Sequence, residues 1–269
     1  MKTKIKVILF ALIAALLLVA IGVGMYHTLP YRYDNAENYQ RGDTAYEDLV
    51  TAIQIHWING FVTLERHDGH EILIRETDAP AEEGQQVHSN LKDGVLDIRY
   101  CKNGALSTGA RKQLTVLLPE GLMIDLSVTS QTANVMINGG SYGNVNVHNT
   151  TGLTRFYHAT VENVTGVTDS GDVNFSGEMK TGKFETVSGN HALQYTVQPQ
   201  ELAFYSVDGE MQLTLPKDST FKAAFYTKDG SLSTAFKGNI DKNVLTVGEN
   251  PAYKYDFVTV SGDLKLNKK

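Results

Sequence analysis

Beyond about residue 47, apolar and polar residues alternate with a period of two, in short runs that stop at Gly, Ser, Asp or Asn. Runs such as Phe61-Val62-Thr63-Leu64, Val173-Asn174-Phe175, Met211-Gln212-Leu213 and Leu264-Lys265-Leu266 predict half-buried β-strands, because successive side chains on a strand point to opposite faces. Each run follows a corner: Asn59-Gly60, Ser170-Gly171-Asp172, Asp208-Gly209 and Ser261-Gly262-Asp263. Aligning Gln131-Thr132-Ala133, Thr150-Thr151-Gly152, Asp169-Ser170-Gly171, Val187-Ser188-Gly189, Val207-Asp208-Gly209 and Lys228-Asp229-Gly230 gives steps of 19, 19, 18, 20 and 21 residues. A second extended run lies between corners, as in Val145-Asn146-Val147 and Val161-Glu162-Asn163-Val164. A unit of this size cannot bury its own apolar face, so it must stack on copies of itself. The prediction is an all-β parallel β-helix, or β-solenoid, with coils of 19–21 residues and at least two strands per coil. From about Leu122 to Leu266 there is room for about seven coils at about 4.8 Å each.

The amino-terminal pattern is different. Lys2, Lys4 and Lys6 precede an uncharged run over residues 7–25, which as a helix would span about 28 Å, close to a bilayer's hydrocarbon core. The run is too long for a signal-peptide core and lacks a small-x-small site, which favours an uncleaved anchor over a cleaved signal. With only Arg32 soon after it, the lysine bias places the amino terminus in the cytoplasm and the rest of the chain outside. The expected organisation is a cytoplasmic tail (1–6), a transmembrane helix (7–25), a polar tether (26–46), an irregular N-terminal β cap (47–126) and solenoid repeats (127–269). Within the cap, Asp68-Gly69 predicts a tight turn between the strand runs 61–66 and 71–75.

Composition narrows the function classes. An apolar fraction of 42% is ample for a core, and 24 Gly against 6 Pro fits many tight turns. Net charge is −6 with no basic block, which argues against a nucleic-acid partner. The single cysteine, Cys101, excludes an intramolecular disulfide and reads as a small strand residue.

Candidate chemistry is sparse. Asp169, Asp172, Asp208, Asp229 and Asp263 recur at corners and, if they lined a groove, would suit polysaccharide cleavage by paired carboxylates; corner Asp residues more often serve local turn hydrogen bonds. His56, His67 and His70 lie near one predicted turn, although two exposed turn histidines are commoner than a zinc site. No nucleophile elbow or phosphate-binding loop is present. The expectation is therefore no catalytic residue, no cofactor and no metal. The Phe-Tyr pairs 156–157, 204–205 and 225–226 predict phenylalanines inside and Tyr157, Tyr205 and Tyr226 outside, as one candidate binding stripe.

Taken together, the apolar amino-terminal helix, the strand-Gly-strand opening at Ile58-Asn59-Gly60-Phe61-Val62-Thr63-Leu64, the Leu-Pro junctions at Leu118-Pro119-Glu120-Gly121 and Leu215-Pro216-Lys217-Asp218, and the Val-Ser-Gly-Asp-like corners resemble the putative adhesin family. The resemblance covers about residues 50–266 and implies a parallel β-helix on a bacterial envelope protein. It implies adhesion by name, and a regulatory role through the envelope-stress systems with which some members are encoded. No functional residue transfers. The expected role is a non-enzymatic, membrane-anchored binding or scaffolding module that contacts cell-wall polysaccharide or another envelope protein. Two alternatives stay open: a polysaccharide lyase or hydrolase, and an accessory regulator of an envelope sensor.

Overall fold

A computed structural model describes residues 36–77, 86–100 and 112–269. The expected cytoplasmic tail and transmembrane helix, residues 26–35 of the tether, and Cys101 lie outside the described residues. Among the described residues no helix is long and apolar enough to cross a membrane.

The strands in chain order begin with β1 (Gln40–Arg41), β2 (Thr44–Tyr46), β3 (Ala52–Trp57), β4 (Phe61–His67), β5 (Ile72–Thr77), β6 (His88–Lys92), β7 (Val95–Arg99) and β8 (Gln113–Pro119). Next come β9 (Met123–Ser130), β10 (Asn134–Asn138), β11 (Ser141–Asn149), β12 (Thr154–Thr168), β13 (Val173–Thr186), β14 (His191–Tyr195), β15 (Glu201–Ser206) and β16 (Met211–Leu215). The last are β17 (Phe221–Tyr226), β18 (Leu232–Thr234), β19 (Asn239–Asp241), β20 (Val244–Val247), β21 (Tyr253–Val258) and β22 (Leu264–Lys268).

Parallel pairing sorts these strands into two sheets joined at the Gly-containing corners. Sheet A stacks β8, β4, β10, the start of β12, the start of β13, β14, β16, β22 and β18. Sheet B stacks β7, β3, β9, β11, the end of β12, the end of β13, β15, β21 and β17. The strands β12 and β13 are long because each leaves sheet A through a bend and continues into sheet B. Inward positions form one apolar core: Val62, Val135, Val173 and Leu213 from sheet A, and Ile55, Val128, Phe184 and Phe204 from sheet B, are all at most 2% exposed. His191 of sheet A lies 5.6 Å from the Phe184 ring and 5.0 Å from the Phe204 ring, which joins the two sheets across that core.

Seven strand pairs follow Leu122, as the corner spacing predicts, but they do not stack in chain order. The last pair, β21 with β22, lies between β15/β16 and β17/β18. The opposite end has the same device, with β3/β4 between β7/β8 and β9/β10. Burial explains the order. Tyr255, Phe257, Leu264 and Leu266 are each 1% exposed and need neighbours on both sides, whereas β18, Leu232-Ser233-Thr234, is short and polar and tolerates a sheet edge. Antiparallel strands cover the other edges: β5 and β2 on sheet A at the amino-terminal end, β6 and β1 on sheet B there, and β20 and β19 on sheet B at the far end.

The turn at Asp68-Gly69 does not close a hairpin. Strand β8 pairs with both β4 and β5 and so lies between the two flanking strands, with Leu114, Val116 and Leu118 each 0% exposed. A tight hairpin occurs instead at Asp93-Gly94 between β6 and β7, with φ of 52° and 77°, the left-handed geometry that a two-residue turn requires.

At four of the corners, a buried polar side chain closes the turn onto the glycine three residues on. Gly152 N–H donates to Asn149 Oδ1 at 3.1 Å, and Gly189, Gly209 and Gly262 N–H donate to Thr186 Oγ1, Ser206 Oγ and Thr259 Oγ1 at 2.8, 2.6 and 2.8 Å. A Cβ on Gly171, Gly189, Gly209 or Gly262 would strike the carbonyl oxygen of the corner below, so close stacking makes glycine necessary there.

The amino-terminal end carries a buried ion pair that hydrophobic periodicity does not reveal. Lys112 Nζ lies 2.7 Å from Glu76 Oε1, with side chains 3% and 0% exposed. The ammonium also donates to the Tyr100 carbonyl at 2.8 Å and sits 4.5 Å from the Tyr100 ring centroid and 5.8 Å from that of Trp57. Glu76 Oε2 accepts the Val87 N–H at 2.6 Å. Each charge therefore has polar partners, as burial demands.

Candidate functional site

The outer face of sheet A carries a shallow groove of ≈500 Å³, formed where four consecutive coils lie side by side. Arg155 and Tyr157 come from β12, Asn174 and Ser176 from β13, Ala192 and Gln194 from β14, and Gln212 and Thr214 from β16. Strand pairing sets these into two rows: Arg155, Asn174, Ala192 and Gln212 in one, Tyr157, Ser176, Gln194 and Thr214 in the other. Their partners along each strand, Phe156, Phe175 and Leu193, point inward and hold the strands on the core. The depression follows from side-chain size, since Ala192 and Ser176 are short where the flanking residues are long.

Tyr157 is 54% exposed, and its ring stands against His158, with centroids 4.1 Å apart in an edge-on arrangement. His158 has φ of 52° and lies in the bend where pairing shifts between Tyr157 and Ala159. The bend ends the sheet A portion of β12 directly after Tyr157, so the ring occupies one rim of the groove.

The three tyrosines expected in one stripe are not brought together. Tyr205 and Tyr226 both register with Val258 and share one outer row of sheet B, where Lys183 Nζ lies 5.9 Å from the Tyr205 ring centroid. Tyr157 is on sheet A. The sequence held the distinguishing signal: Phe156 follows its corner glycine, Gly152, whereas Phe204 and Phe225 precede theirs, Gly209 and Gly230. Each coil crosses from sheet B to sheet A at that corner. As expected from strand alternation, Phe156, Phe204 and Phe225 are buried.

Three of the five corner aspartates tie coils to one another rather than closing local turns. Asp172 Oδ1 accepts the Asn190 N–H at 2.8 Å; Asp263 Oδ1 accepts the N–H and Oγ–H of Ser231 at 2.7 and 2.9 Å; Asp208 Oδ1 accepts the Ser261 hydroxyl at 2.9 Å. The Ser231 bonds hold the Asp263 carboxyl below its ordinary value. Asp229 makes a surface pair with Lys228 at 3.1 Å. Asp169 is pushed up by burial, opposed by His148. None of the five lines the groove, and no carboxylate is among its lining residues.

The histidines are dispersed. His67 is used by its own turn: Nε2 lies 2.7 Å from the Glu71 carbonyl, and Nδ1 accepts the Gly69 N–H at 3.1 Å. His56 is on sheet B, 4.0 Å from Asp97, where burial and the Arg99 charge lower its pKa to about 4. Among the described residues no group of three His, Cys, Asp or Glu side chains could hold a metal ion.

Comparison with known proteins gives one family. A model described as Toastrack DUF4097 matches residues 50–196 and again 175–267. Among solved structures, a putative adhesin from Bacteroides fragilis NCTC 9343 is similar at 12% identity and a TM-score of 0.47, over 86% of this chain and 97% of that one. A putative cell adhesion protein from Clostridium sporogenes ATCC 15579 is similar at 11% identity and a TM-score of 0.37, over 86% of this chain and 100% of that one. No curated protein matches the chain significantly.

Proposed function

Since the chain belongs to the Toastrack DUF4097 family, a β-rich repeat family without an assigned activity, we propose that it is a non-enzymatic binding module of the cell envelope. In this reading the helix at residues 7–25 anchors it in the membrane with the amino terminus inside, and the solenoid faces outward. Its ligand is an envelope polysaccharide held on the outer face of sheet A.

The observation that carries the reading is the groove itself. One half-exposed aromatic ring, Tyr157, stands beside Asn174, Ser176, Gln194, Gln212 and Thr214, side chains with both donors and acceptors. A sugar ring has apolar C–H faces and a hydroxyl rim; a tyrosine face and a bed of amides and hydroxyls match the two. Rigid stacked coils keep that bed flat.

The test incubates the protein with purified envelope polysaccharide and scores co-sedimentation together with release of soluble sugar. Retention without release is expected, and Tyr157→Ala should lose retention while keeping the wild-type melting temperature. Sugar release would overturn the non-enzymatic reading, and absence of retention would overturn the ligand class. External protease should digest the solenoid in intact cells; full protection would contradict the orientation.

A further inference from the structure

We infer that the groove selects an acidic glycan lying along the long axis of the rod, with Arg155 pairing to an anionic substituent and Tyr157 stacking on a sugar ring. The inference rests on the binding reading above and adds charge and direction to it.

Direction follows from how the groove is built. Its residues come from β12, β13, β14 and β16, which are adjacent parallel strands, so the groove runs across strands and along the stacking axis. Adjacent strands are about 4.8 Å apart, close to the length of one sugar unit in an extended β-1,4 chain. The two rows, Arg155-Asn174-Ala192-Gln212 and Tyr157-Ser176-Gln194-Thr214, then flank one extended chain. A chain laid across the rod would cross both rows at only one coil.

Charge follows from Arg155. It is exposed, it is the only charged side chain among the lining residues, and no ion pair holds it among the described residues. The acid just ahead of the neighbouring strand, Asp172, lies two residues before Asn174 and already accepts the Asn190 N–H. In a protein of net charge −6, the groove thus presents one uncommitted guanidinium among neutral groups. A guanidinium fork matches a carboxylate bidentately, which adds geometry to attraction.

The test uses the full chain in detergent with two ligand series of one backbone, β-1,4-mannuronate oligomers and neutral β-1,4-manno-oligosaccharides, titrated calorimetrically. Affinity should rise with length and level off at about four units, one per coil, and the acidic series should bind about tenfold tighter, as expected for a charge-assisted bond. Arg155→Gln should bring the acidic series to the affinity of the neutral one. Lys222→Gln, which removes the same charge from the outer face of sheet B, should leave the ratio intact. Equal affinity of the two series, an unchanged ratio in Arg155→Gln, no length dependence, or no binding by either series would each overturn the inference. If envelope polysaccharide is still retained through Tyr157 in those cases, the binding reading survives; if it is not, both fall.

Discussion

Lys112 and Glu76 offer a sharp test of what holds the amino-terminal end together. Lys112→Met keeps a flexible chain over the rings of Tyr100 and Trp57 but removes the ammonium 2.7 Å from Glu76. The carboxylate, fully buried, is then left with the Val87 N–H. Breaking a buried pair from one side costs about 3–5 kcal/mol, because an uncompensated charge stays inside. For a folded unit of this size that is a fall of roughly 6–20 °C in melting temperature. The double variant Glu76→Gln/Lys112→Met removes both charges and keeps an acceptor for Val87. It should retain only the cost of losing the ammonium's hydrogen bond to the Tyr100 carbonyl, about 1.5–3 kcal/mol. The double variant should therefore be more stable than Lys112→Met alone. Urea titration followed by fluorescence of Trp57, the only tryptophan and a neighbour of the pair, reads this region directly; circular dichroism follows the rest of the rod. Equal loss in the single and double variants would show that the uncompensated Glu76 charge is not what destabilises Lys112→Met, and would refute the reasoning.

Two more outcomes follow from the core and the corners. Gly262→Ala places a methyl group against the Gly209 carbonyl oxygen, where backbone cannot yield, and should cost at least about 1–3 kcal/mol in urea titration; wild-type stability would mean the corners are not closely stacked. His191 is 1% exposed between Phe184 and Phe204, and burial lowers its pKa to about 4, opposed by the Gly189 carbonyl and Asp172. Its unfolded value is near 6.5, so the unfolded chain binds the proton first. The His191 contribution is therefore intact above pH 6.5 and lost as pH falls towards 4. His191→Met, which copies Met211 in the same inward row, should flatten that part of the melting-temperature profile, and an unchanged slope would assign the acid sensitivity elsewhere.

The interlocked ends bear on how the rod persists as one unit. In an ordinary stack the terminal coil contacts one neighbour and frays first. Here the last coil in sequence, β21 with β22, is held on both sides, and the exposed edge falls to β18. Unfolding from the carboxyl terminus must therefore remove an interior coil, which couples the far end to the middle of the rod.

Much of this architecture is local and so was readable from the chain. A period of two marks inward and outward positions, and it placed Phe156, Phe204 and Phe225 inside correctly. Corner spacing of 18 to 21 residues is a property of one coil, and it yielded the right number of coils after Leu122. Which coil stacks on which is different, because neighbouring coils make the same kinds of backbone bonds whatever their order in sequence. Burial decided that β22 separates β16 from β18, and that β8 separates β4 from β5, against the local turn signal at Asp68-Gly69. The candidate site follows the same division. Exposure of Tyr157 was legible from alternation, but its separation from Tyr205 and Tyr226 depends on which sheet each coil position enters. Its new neighbours, Arg155, Asn174, Gln194 and Gln212, come from four coils about 20 residues apart, and only stacking at about 4.8 Å brings them onto one face.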